Sequence, residues 1–298
     1  MRLSILFFPE RVNDIMGASD NNIRSSVIIS VYKDDTALRL ILNSLLKQSF
    51  TDFEIIVSED CQSACIKECV ASFRKEIPDI MHLTQEDIGF RKNIALNRAI
   101  RAANNDHMIF IDGDCVPHPR FVEAHQQFAK PGLACTGRRL ELGENISKKL
   151  RDSSADLSRL TNRFLYLLNI IPLLLDKAKN IESGIYSKFL HRNTKDKEIR
   201  ILGCNFSCNK QDLEKINGFN EDYLAPGIGE DSDIDWRLVK SGVSINNVKF
   251  SAIQYHLFHP RAYSTSPENI ALFEKTKQSG DYTCQHGLEN LPASQPAH

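Results

Sequence analysis

Short apolar runs alternate with amphipathic stretches along the first part of the chain. Four runs have the length of strands: residues 26–32, 53–57, 81–83 and 107–111. Three stretches between them have apolar residues at helical spacing: 36–48, 61–76 and 91–103. This alternation predicts an α/β fold, a doubly wound, mostly parallel sheet flanked by helices. Ligands bind such sheets at the carboxyl ends of the strands, so the polar residues that follow each strand are the candidates for function.

Residues 138–200 interrupt this alternation. They contain 14 Lys and Arg against 8 Asp and Glu, in a chain whose formal net charge is −1. Within them, residues 164–175 form an apolar segment too short to span a bilayer. We interpret the region as a helical insert. On length alone we favour a core-packing helix broken at Pro172; the alternative is an apolar face, flanked by basic residues, that rests on an anionic membrane or a lipid-linked acceptor.

The remaining sequence suggests a single catalytic domain over residues 25–262. Residues 1–24 form a polar leader, and residues 263–298 form a C-terminal tail that we expect to be partly disordered. The near-neutral net charge gives no reason to expect a nucleic acid partner. We find no signal peptide and no membrane-spanning stretch, and the eight scattered cysteines suggest a reduced chain. We therefore expect a cytoplasmic protein, with peripheral contact at the inner face of the membrane as an extension.

The strongest chemical signal is the Asp112-Gly113-Asp114 sequence directly after the run 107–111. Two carboxylates at the mouth of a parallel strand suit Mg²⁺ or Mn²⁺, which in turn neutralises a diphosphate. An Asp-x-Asp sequence alone is common in turns, and its position after a buried strand is what favours a function. His256 and His259 lie in a late segment. If that segment returns to the crevice beside Asp114, an imidazole could complete a Mn²⁺ site.

Other polar residues follow the first strands. Tyr32 and Asp34 end the first strand, and Asp60 ends the second. A carboxylate there could accept hydrogen bonds from a base or a ribose; the competing interpretation, which we accept for Asp35, is helix N-capping by Asp35 and Asp60. Arg91 and the adjacent lysine open the third helix and could reach phosphate oxygens.

A second acidic cluster occupies residues 227–237, where four acidic residues fall within six positions after two glycines. Helix capping would need only one carboxylate, so we expect a binding loop. A carboxylate here could accept the proton of an acceptor hydroxyl as a general base. The cysteines at positions 61, 65 and 69 share one helix face, and we interpret them as packing residues rather than zinc ligands.

Taken in order, these motifs resemble family 2 glycosyltransferases of the GT-A fold. The match runs through Val-Ile-Ile-Ser-Val-Tyr, Asp60, Asp-Ile-Gly-Phe-Arg, Asp-Gly-Asp, Gly-Glu-Asp and His-x-x-His-Pro, over about residues 25–262. The chain is similar especially to the branch that shares a galactosyltransferase-like C-terminal segment with chondroitin-type polymerases.

The resemblance implies a metal-dependent, inverting hexosyl- or N-acetylhexosaminyltransferase. It would use a nucleoside diphosphate sugar, usually of uridine, and a glycan or lipid-linked acceptor in cell-surface polysaccharide synthesis. Asp231 would be the catalytic base and Glu230 would orient the acceptor, whereas Asp114 and His259 would bind Mn²⁺ or Mg²⁺. The nucleotide site would comprise Ser30, Tyr32, Asp34, Asp60, Arg91, Asp112 and Gly113.

Two other functions remain open at this stage. A sugar nucleotidyltransferase would need a glycine-rich, basic loop after the first strand, whereas this chain has Tyr32-Lys-Asp-Asp-Thr36. A non-catalytic module that binds a sugar nucleotide or a glycan would not need the intact acidic and histidine residues. Both are less consistent with the sequence than a transferase.

Overall fold

The computed structural model of the protein describes residues 24–153, 155–187, 199–260 and 266–290. Of the predicted leader, only Arg24 lies within the described residues. The end of the predicted tail, residues 291–298, also lies outside them.

The first half of the chain forms the predicted alternation of strands and helices. The strands are β1 (Ser25–Val31), β2 (Phe53–Glu59), β3 (Ile80–Leu83) and β4 (His107–Asp112). The helices between them are α1 (Asp35–Leu45), α2 (Ala64–Phe73) and α3 (Lys92–Ala102). Each element lies within a few residues of its predicted bounds, so apolar periodicity alone located them.

A mixed seven-stranded sheet forms the body of the fold. It contains, besides the first four strands, β6 (Leu133–Thr136), β8 (Asn205–Asn209) and β9 (Ser244–Asn247), in the order β3-β2-β1-β4-β8-β6-β9. β3, β2, β1 and β4 are parallel, whereas β8 is antiparallel to both of its neighbours. The register pairs Ser30 with Asp112, so the carboxyl ends of β1 and β4 meet at one edge. The predicted mostly parallel sheet is confirmed.

The sheet is buried on both faces. In β1, Val27 and Ile29 pack with α1 and α2 on one side, whereas Ile28 packs with α3 on the other. On the second side Phe110 stacks on Phe206 with a ring-centroid distance of 4.4 Å. Burial on both faces is why these strands read as continuous apolar runs rather than as alternating patterns.

A second, three-stranded sheet lies next to the carboxyl end of β4. It contains β5 (Cys115–Pro117), β7 (Arg138–Glu141) and β10 (Ile253–His256), with β10 in the middle. β10 is antiparallel to β5, and the register pairs His256 with Cys115. This sheet brings a late segment of the chain to the residue that follows Asp114.

The region 138–187 is only partly the helical insert that the sequence predicts. It begins with β7, which belongs to the second sheet, and continues in α5 (Glu144–Arg151), α6 (Ser158–Thr161), α7 (Arg163–Leu168) and α8 (Ile170–Leu175). The predicted break at Pro172 is wrong, because the helix breaks at Asn169 and Pro172 lies within α8. The core-packing interpretation of residues 164–175 holds for Tyr166 and Leu173, which are buried, and for Ile170, which is partly buried against the core.

The C-terminal part has more structure than we predicted from its polar composition. Helix α11 (Pro267–Ser279) is capped by Ser266, whose hydroxyl accepts from the backbone N–H of Asn269. Farther on, Leu288 is buried in the core beside α3. The expectation of disorder is therefore wrong for residues 266–290. Within the described residues, no helix is both long enough and apolar enough to cross a membrane.

Candidate functional site

The turn after β4 fixes the position of the first carboxylates. The backbone N–H of Gly113 donates to the carbonyl oxygen of Ser30 at 2.7 Å, which ties the turn to the end of β1. A Cβ atom at position 113 would lie 2.8 Å from that oxygen, closer than carbon and oxygen normally approach. Glycine is therefore required between Asp112 and Asp114, and the close contact orients their carboxylates at the sheet edge.

Asp114 meets two histidines from the end of the second sheet. Its Oδ2 lies 3.3 Å from Nε2 of His256 and 3.1 Å from Nε2 of His259. One ligand atom from each of the three residues lies within 4.8 Å of the others, an arrangement that can hold a metal ion. The sequence suggested that a histidine could return to Asp114, and the structure brings both histidines there.

The electrostatics of this group depend on the two imidazoles. Burial raises the pKa of Asp114, but hydrogen bonds from His256 and His259 outweigh burial and hold that pKa well below its usual value. The hydrogen bond that His259 donates to Asp114 also raises the pKa of His259. The carboxylate is thus ionised at neutral pH, which a metal ligand requires.

A partly buried lysine connects the two acidic motifs. Lys92 Nζ lies 2.7 Å from Oδ1 of Asp112 and 2.8 Å from Oε1 of Glu230. Burial lowers the pKa of Lys92, but attraction to Asp112, Glu230 and Asp231 raises it well above the ordinary value. Lys92 is therefore a permanent cation at the start of α3, and it holds the two carboxylates in place.

Glu230 and Asp231 stand at the start of helix α10 (Asp231–Lys240). Glu230 occupies the N-cap position but makes no side-chain capping bond, so capping does not account for it. A Cβ atom at Gly203 would lie 2.0 Å from Oδ1 of Asp231, which shows how closely the carboxylate approaches that backbone. Together with Ser30, Lys92 and Asp112, both acidic residues line one small cavity.

The pKa of the Asp231 carboxyl is shifted far from its ordinary value. Burial raises its pKa most, and repulsion from Glu230 adds to the effect, although Lys92 opposes it. The resulting pKa is about 7, compared with an ordinary value of 3.8. A carboxylate with a pKa near neutral can both accept and release a proton at physiological pH.

The other two acidic residues of this motif are structural. Asp233 pairs with Arg237 at 2.6 Å, and both side chains are buried. Asp235 Oδ1 accepts from the backbone N–H of Ile201 at 2.7 Å, which fixes the segment that contains Gly203. One pair of acids therefore faces the cavity while the next pair secures the helix behind it.

Asp60 and Arg91 are in contact, but the hydrogen bonds of both residues are to protein groups, whereas phosphate binding would need the Arg91 guanidinium to face the cleft. The Asp60 carboxylate accepts from Gln85 at 2.5 Å and from the backbone N–H of Arg91 at 2.8 Å, and burial raises its pKa. The Arg91 guanidinium donates to the carbonyl of Glu86. It is Lys92, not Arg91, that reaches Asp112.

Asp34 also has protein partners. Its Oδ1 accepts from the backbone N–H of Ala37 at 3.0 Å, and Arg151 Nη1 lies 2.7 Å from both carboxylate oxygens. Asp34 is therefore the N-cap of α1, so the assignment of capping to Asp35 is wrong. Likewise, the N-cap of α2 is Ser63 and not Asp60. The nearby Tyr32 is exposed and contacts the carboxylate of Asp87.

Sequence reasoning missed two residues of the site. Arg139, in the region considered an insert, donates to Cys204 Sγ at 3.4 Å; burial lowers its pKa, but Cys204 and Cys115, and after them Asp112 and Asp114, raise it. Gly203 is missed because its role, contact with Asp231, depends on a fold in which distant segments meet. A basic residue in a strand and an isolated glycine give no signal in a single sequence.

A larger cavity of about 540 Å³ opens beside the histidines. His256, His259 and Phe258 line it on one side, and Leu175 and Lys177 line it on another. The group of Asp114, His256 and His259 is therefore accessible from a space large enough for a small ligand.

Comparison with known proteins defines the class. The chain aligns with Staphylococcus aureus TarS at a TM-score of 0.57, with 15% identity over 90% of this chain and 41% of TarS. It aligns with GalNAc-T7, solved with UDP, GalNAc and Mn²⁺, at a TM-score of 0.59, with 13% identity over 86% of this chain and 48% of the other. The fold is that of GT-A glycosyltransferases.

The sequence narrows this class to a family. Residues 26–216 match glycosyl transferase family 2, and residues 185–260 match the N-terminal domain of galactosyltransferase. The chain belongs to glycosyltransferase family 2. It is also similar to a chondroitin synthase of Escherichia coli, with 24% identity over 78% of this chain, and spans 34% of that protein's length.

The raised pKa of Asp231 predicts a pH-dependent effect on stability. Because the folded-state pKa of about 7 exceeds the ordinary 3.8, the folded protein binds this proton more tightly, and its stability falls as pH rises from about 4 to 7. Asp231→Asn should therefore stabilise the protein at pH 8 by on the order of 2 kcal/mol. This value is about half of the free energy that the whole pKa shift corresponds to, because the Asp231 side chain is partly exposed to solvent. The gain should vanish near pH 4.

Urea unfolding of both proteins at pH 4, 6 and 8 measures this difference. Asp281→Asn, which changes an exposed acid outside the cavity, is the control and should change little at any pH. A stabilisation by Asp231→Asn that is the same at all three pH values would contradict the assigned pKa.

Proposed function

We propose that the protein is an inverting, metal-dependent glycosyltransferase that uses a nucleoside diphosphate sugar, with a UDP-sugar as the expected donor. The observation that carries the proposal is the convergence of Asp112, Glu230 and Asp231 on one cavity next to the Asp114 group. Such a site offers a metal position for a diphosphate and, a short distance away, a carboxylate base. Membership of family 2 and a solved GT-A structure with UDP and Mn²⁺ support it.

The residues around Asp114 fit a divalent cation. One carboxylate and two imidazoles form a mixed oxygen and nitrogen donor set. Mg²⁺ prefers oxygen ligands, so the two histidines favour Mn²⁺. When bound, the ion would supply positive charge to the diphosphate. His256, which we did not assign as a ligand from sequence, joins Asp114 and His259 in this role.

Two cations of the chain would complete the binding of the diphosphate. Lys92 Nζ contacts Asp112 directly, and Arg139 contributes a second positive charge that acts on Asp112 and Asp114. Their charges would stabilise the negative charge that develops on the leaving nucleoside diphosphate. Asp112 would bind the donor from the turn, and Ser30, Tyr32, Asp34, Asp60, Arg91 and Gly113 remain our candidates for the nucleotide side of the cleft.

Asp231 is the proposed base. The acceptor hydroxyl oxygen would attack the anomeric carbon while its proton passes to Asp231, and the bond to the diphosphate oxygen would break on the opposite side. A single displacement of this kind inverts the anomeric centre. Glu230, held by Lys92, would accept a hydrogen bond from the acceptor and orient it. The similarity to a chondroitin synthase supports a glycan as acceptor. We extend the proposal to a lipid-linked glycan, to cell-surface polysaccharide synthesis and to the cytoplasmic side of the membrane.

Donor binding should depend on Mn²⁺ and on Asp114. We expect one sugar nucleotide in a panel of UDP-, GDP- and dTDP-sugars to bind selectively, and to bind at least about tenfold more weakly without Mn²⁺, because an unneutralised diphosphate would face Asp112 and Asp114. Asp114→Ala should lose the Mn²⁺ dependence. Isothermal titration calorimetry of each donor, with and without metal, measures both effects.

The matched control is Asp222→Ala, which removes an exposed carboxylate elsewhere. If no donor binds the folded protein in the presence of Mn²⁺, the transferase proposal is wrong, and a non-catalytic glycan-binding module becomes the better account. If Asp114→Ala keeps the full metal dependence, Asp114 is not a ligand.

Asp231→Asn should abolish catalysis while leaving donor binding nearly unchanged. Loss of a general base typically lowers rates by roughly 10²–10⁴-fold, and asparagine keeps the shape of the side chain. Slow hydrolysis of the donor by water, followed as release of nucleoside diphosphate, provides a turnover assay before the acceptor is identified. Calorimetry on the same variant gives the donor affinity.

Gly203→Ala provides an independent test of the same role, because the added methyl would displace the Asp231 carboxylate. It should reduce turnover in the wild type but not in the Asp231→Asn background, since the base is already absent. Equal losses in both backgrounds would mean that Gly203 acts through something other than Asp231. A large loss of donor affinity in Asp231→Asn would mean that Asp231 is not simply a base.

A further inference from the structure

Helices α7 and α8 leave an unusual surface exposed. Six side chains there are 55% to 80% exposed: Phe164, Leu167, Leu168, Ile171, Leu174 and Leu175. We call these six residues the α7–α8 surface. Pro172 is also exposed, so every exposed side chain from position 164 to 175 is hydrocarbon. Contiguous apolar surface of this kind on a folded protein marks a contact with something apolar.

The helical pattern explains why the surface cannot be buried within the fold. Tyr166 and Leu173 point into the core, and the Tyr166 hydroxyl donates to the carbonyl of Ile181. Within α7, Phe164 and Leu168 lie one helical turn apart, and within α8, Ile171 and Leu175 do the same; all four are exposed. A helix that is apolar all round requires an apolar environment on every side, and the core supplies it on one side only.

Charged residues at both ends of the surface favour one kind of environment. Arg159 and Arg163 precede it, Lys177 and Lys179 follow it, and all four are exposed. Three acids lie between positions 155 and 187. Glu182 pairs with Lys249, whereas Asp156 and Asp176 accept hydrogen bonds from neutral donors and keep their negative charge. Four cations against two uncompensated acids leave the border of the hydrocarbon surface net positive.

We propose that the α7–α8 surface docks on an anionic lipid membrane, with its hydrocarbon side chains in the interfacial layer and Arg159, Arg163, Lys177 and Lys179 on the lipid phosphates. Apolar residues flanked by Lys and Arg are the composition of helices that lie in the plane of a membrane. A second copy of the chain fits less well, because a twofold contact would bring these cations against each other.

Docking would also orient the cleft. Leu175 and Lys177 belong both to this end of the molecule and to the lining of the 540 Å³ cavity that contains His256 and His259. The mouth of the cavity would therefore face the lipid surface. Given the proposed function, on which this step rests, the acceptor class that fits is a sugar carried on a lipid, presented from the membrane rather than from solution.

The test is co-sedimentation of the full chain with two kinds of vesicle. One is phosphatidylcholine alone, and the other contains phosphatidylglycerol in addition. We expect binding at least about tenfold stronger to the anionic vesicles at low salt, falling as salt is raised. Because this comparison uses the wild-type chain, it tests binding to anionic membranes even if a substitution prevents folding. No binding to either vesicle, or equal binding to both, would overturn the proposal.

Variants assign the binding to this surface. Leu167→Ser/Ile171→Ser should weaken binding to anionic vesicles at least about tenfold, because two inserted side chains are lost. The control is Leu46→Ser/Ile270→Ser, which removes two exposed apolar side chains elsewhere and should bind as the wild type does. Arg159→Gln/Arg163→Gln should lose much of the preference for anionic lipid. Equal weakening by the control pair would overturn the assignment.

Two further measurements separate this proposal from its alternatives. Sedimentation velocity that shows a dimer dispersed by Leu167→Ser/Ile171→Ser would identify a second copy as the occupant and overturn membrane docking. Donor binding by calorimetry should be unchanged in every surface variant. If the wild type binds vesicles but no donor, the proposed function fails while membrane docking stands.

Discussion

The contact of Lys92 with Asp112 and Glu230 is the interaction on which the site depends. It joins three distant parts of the chain: the end of β4, the start of α3 and the start of α10. Because these groups are largely removed from water, a carboxylate that lost the lysine would be left close to another negative charge. The lysine therefore fixes where the acidic loop can lie relative to the sheet edge.

The groups around this contact also affect the neighbouring Asp231. Burial of its carboxyl raises the pKa most, repulsion from Glu230 adds to the rise, and Lys92 opposes it. The resulting pKa is about 7. A proton can therefore be taken up there at physiological pH, which a base requires. The Asp231 carboxylate is held in this position by its close approach to Gly203 and by the buried Asp233–Arg237 pair behind it.

The sequence predicted the parallel half of the fold and both acidic motifs, because these depend on local patterns. The runs at β1, β2 and β4 and the Asp-Gly-Asp turn are readable from neighbouring residues alone. The second sheet was not predicted, since β5, β7 and β10 are short and come from distant segments. For the same reason the contribution of Arg139 and the contact of Gly203 with Asp231 were missed, and the partners of Asp34 and Asp60 became visible only in the fold. The exposure of residues 164–175 was also misjudged, because periodicity cannot distinguish a buried side from one that faces a different apolar medium.

The central claim is that Asp114, His256 and His259 hold a divalent cation for the diphosphate of a sugar nucleotide. The most direct measurement is anomalous X-ray scattering at the manganese edge from crystals grown with Mn²⁺ and UDP. We predict a single strong peak within coordination distance of all three side chains and of the diphosphate, with Lys92 close by. A peak elsewhere, or UDP bound in full with no manganese at these residues, would contradict the account.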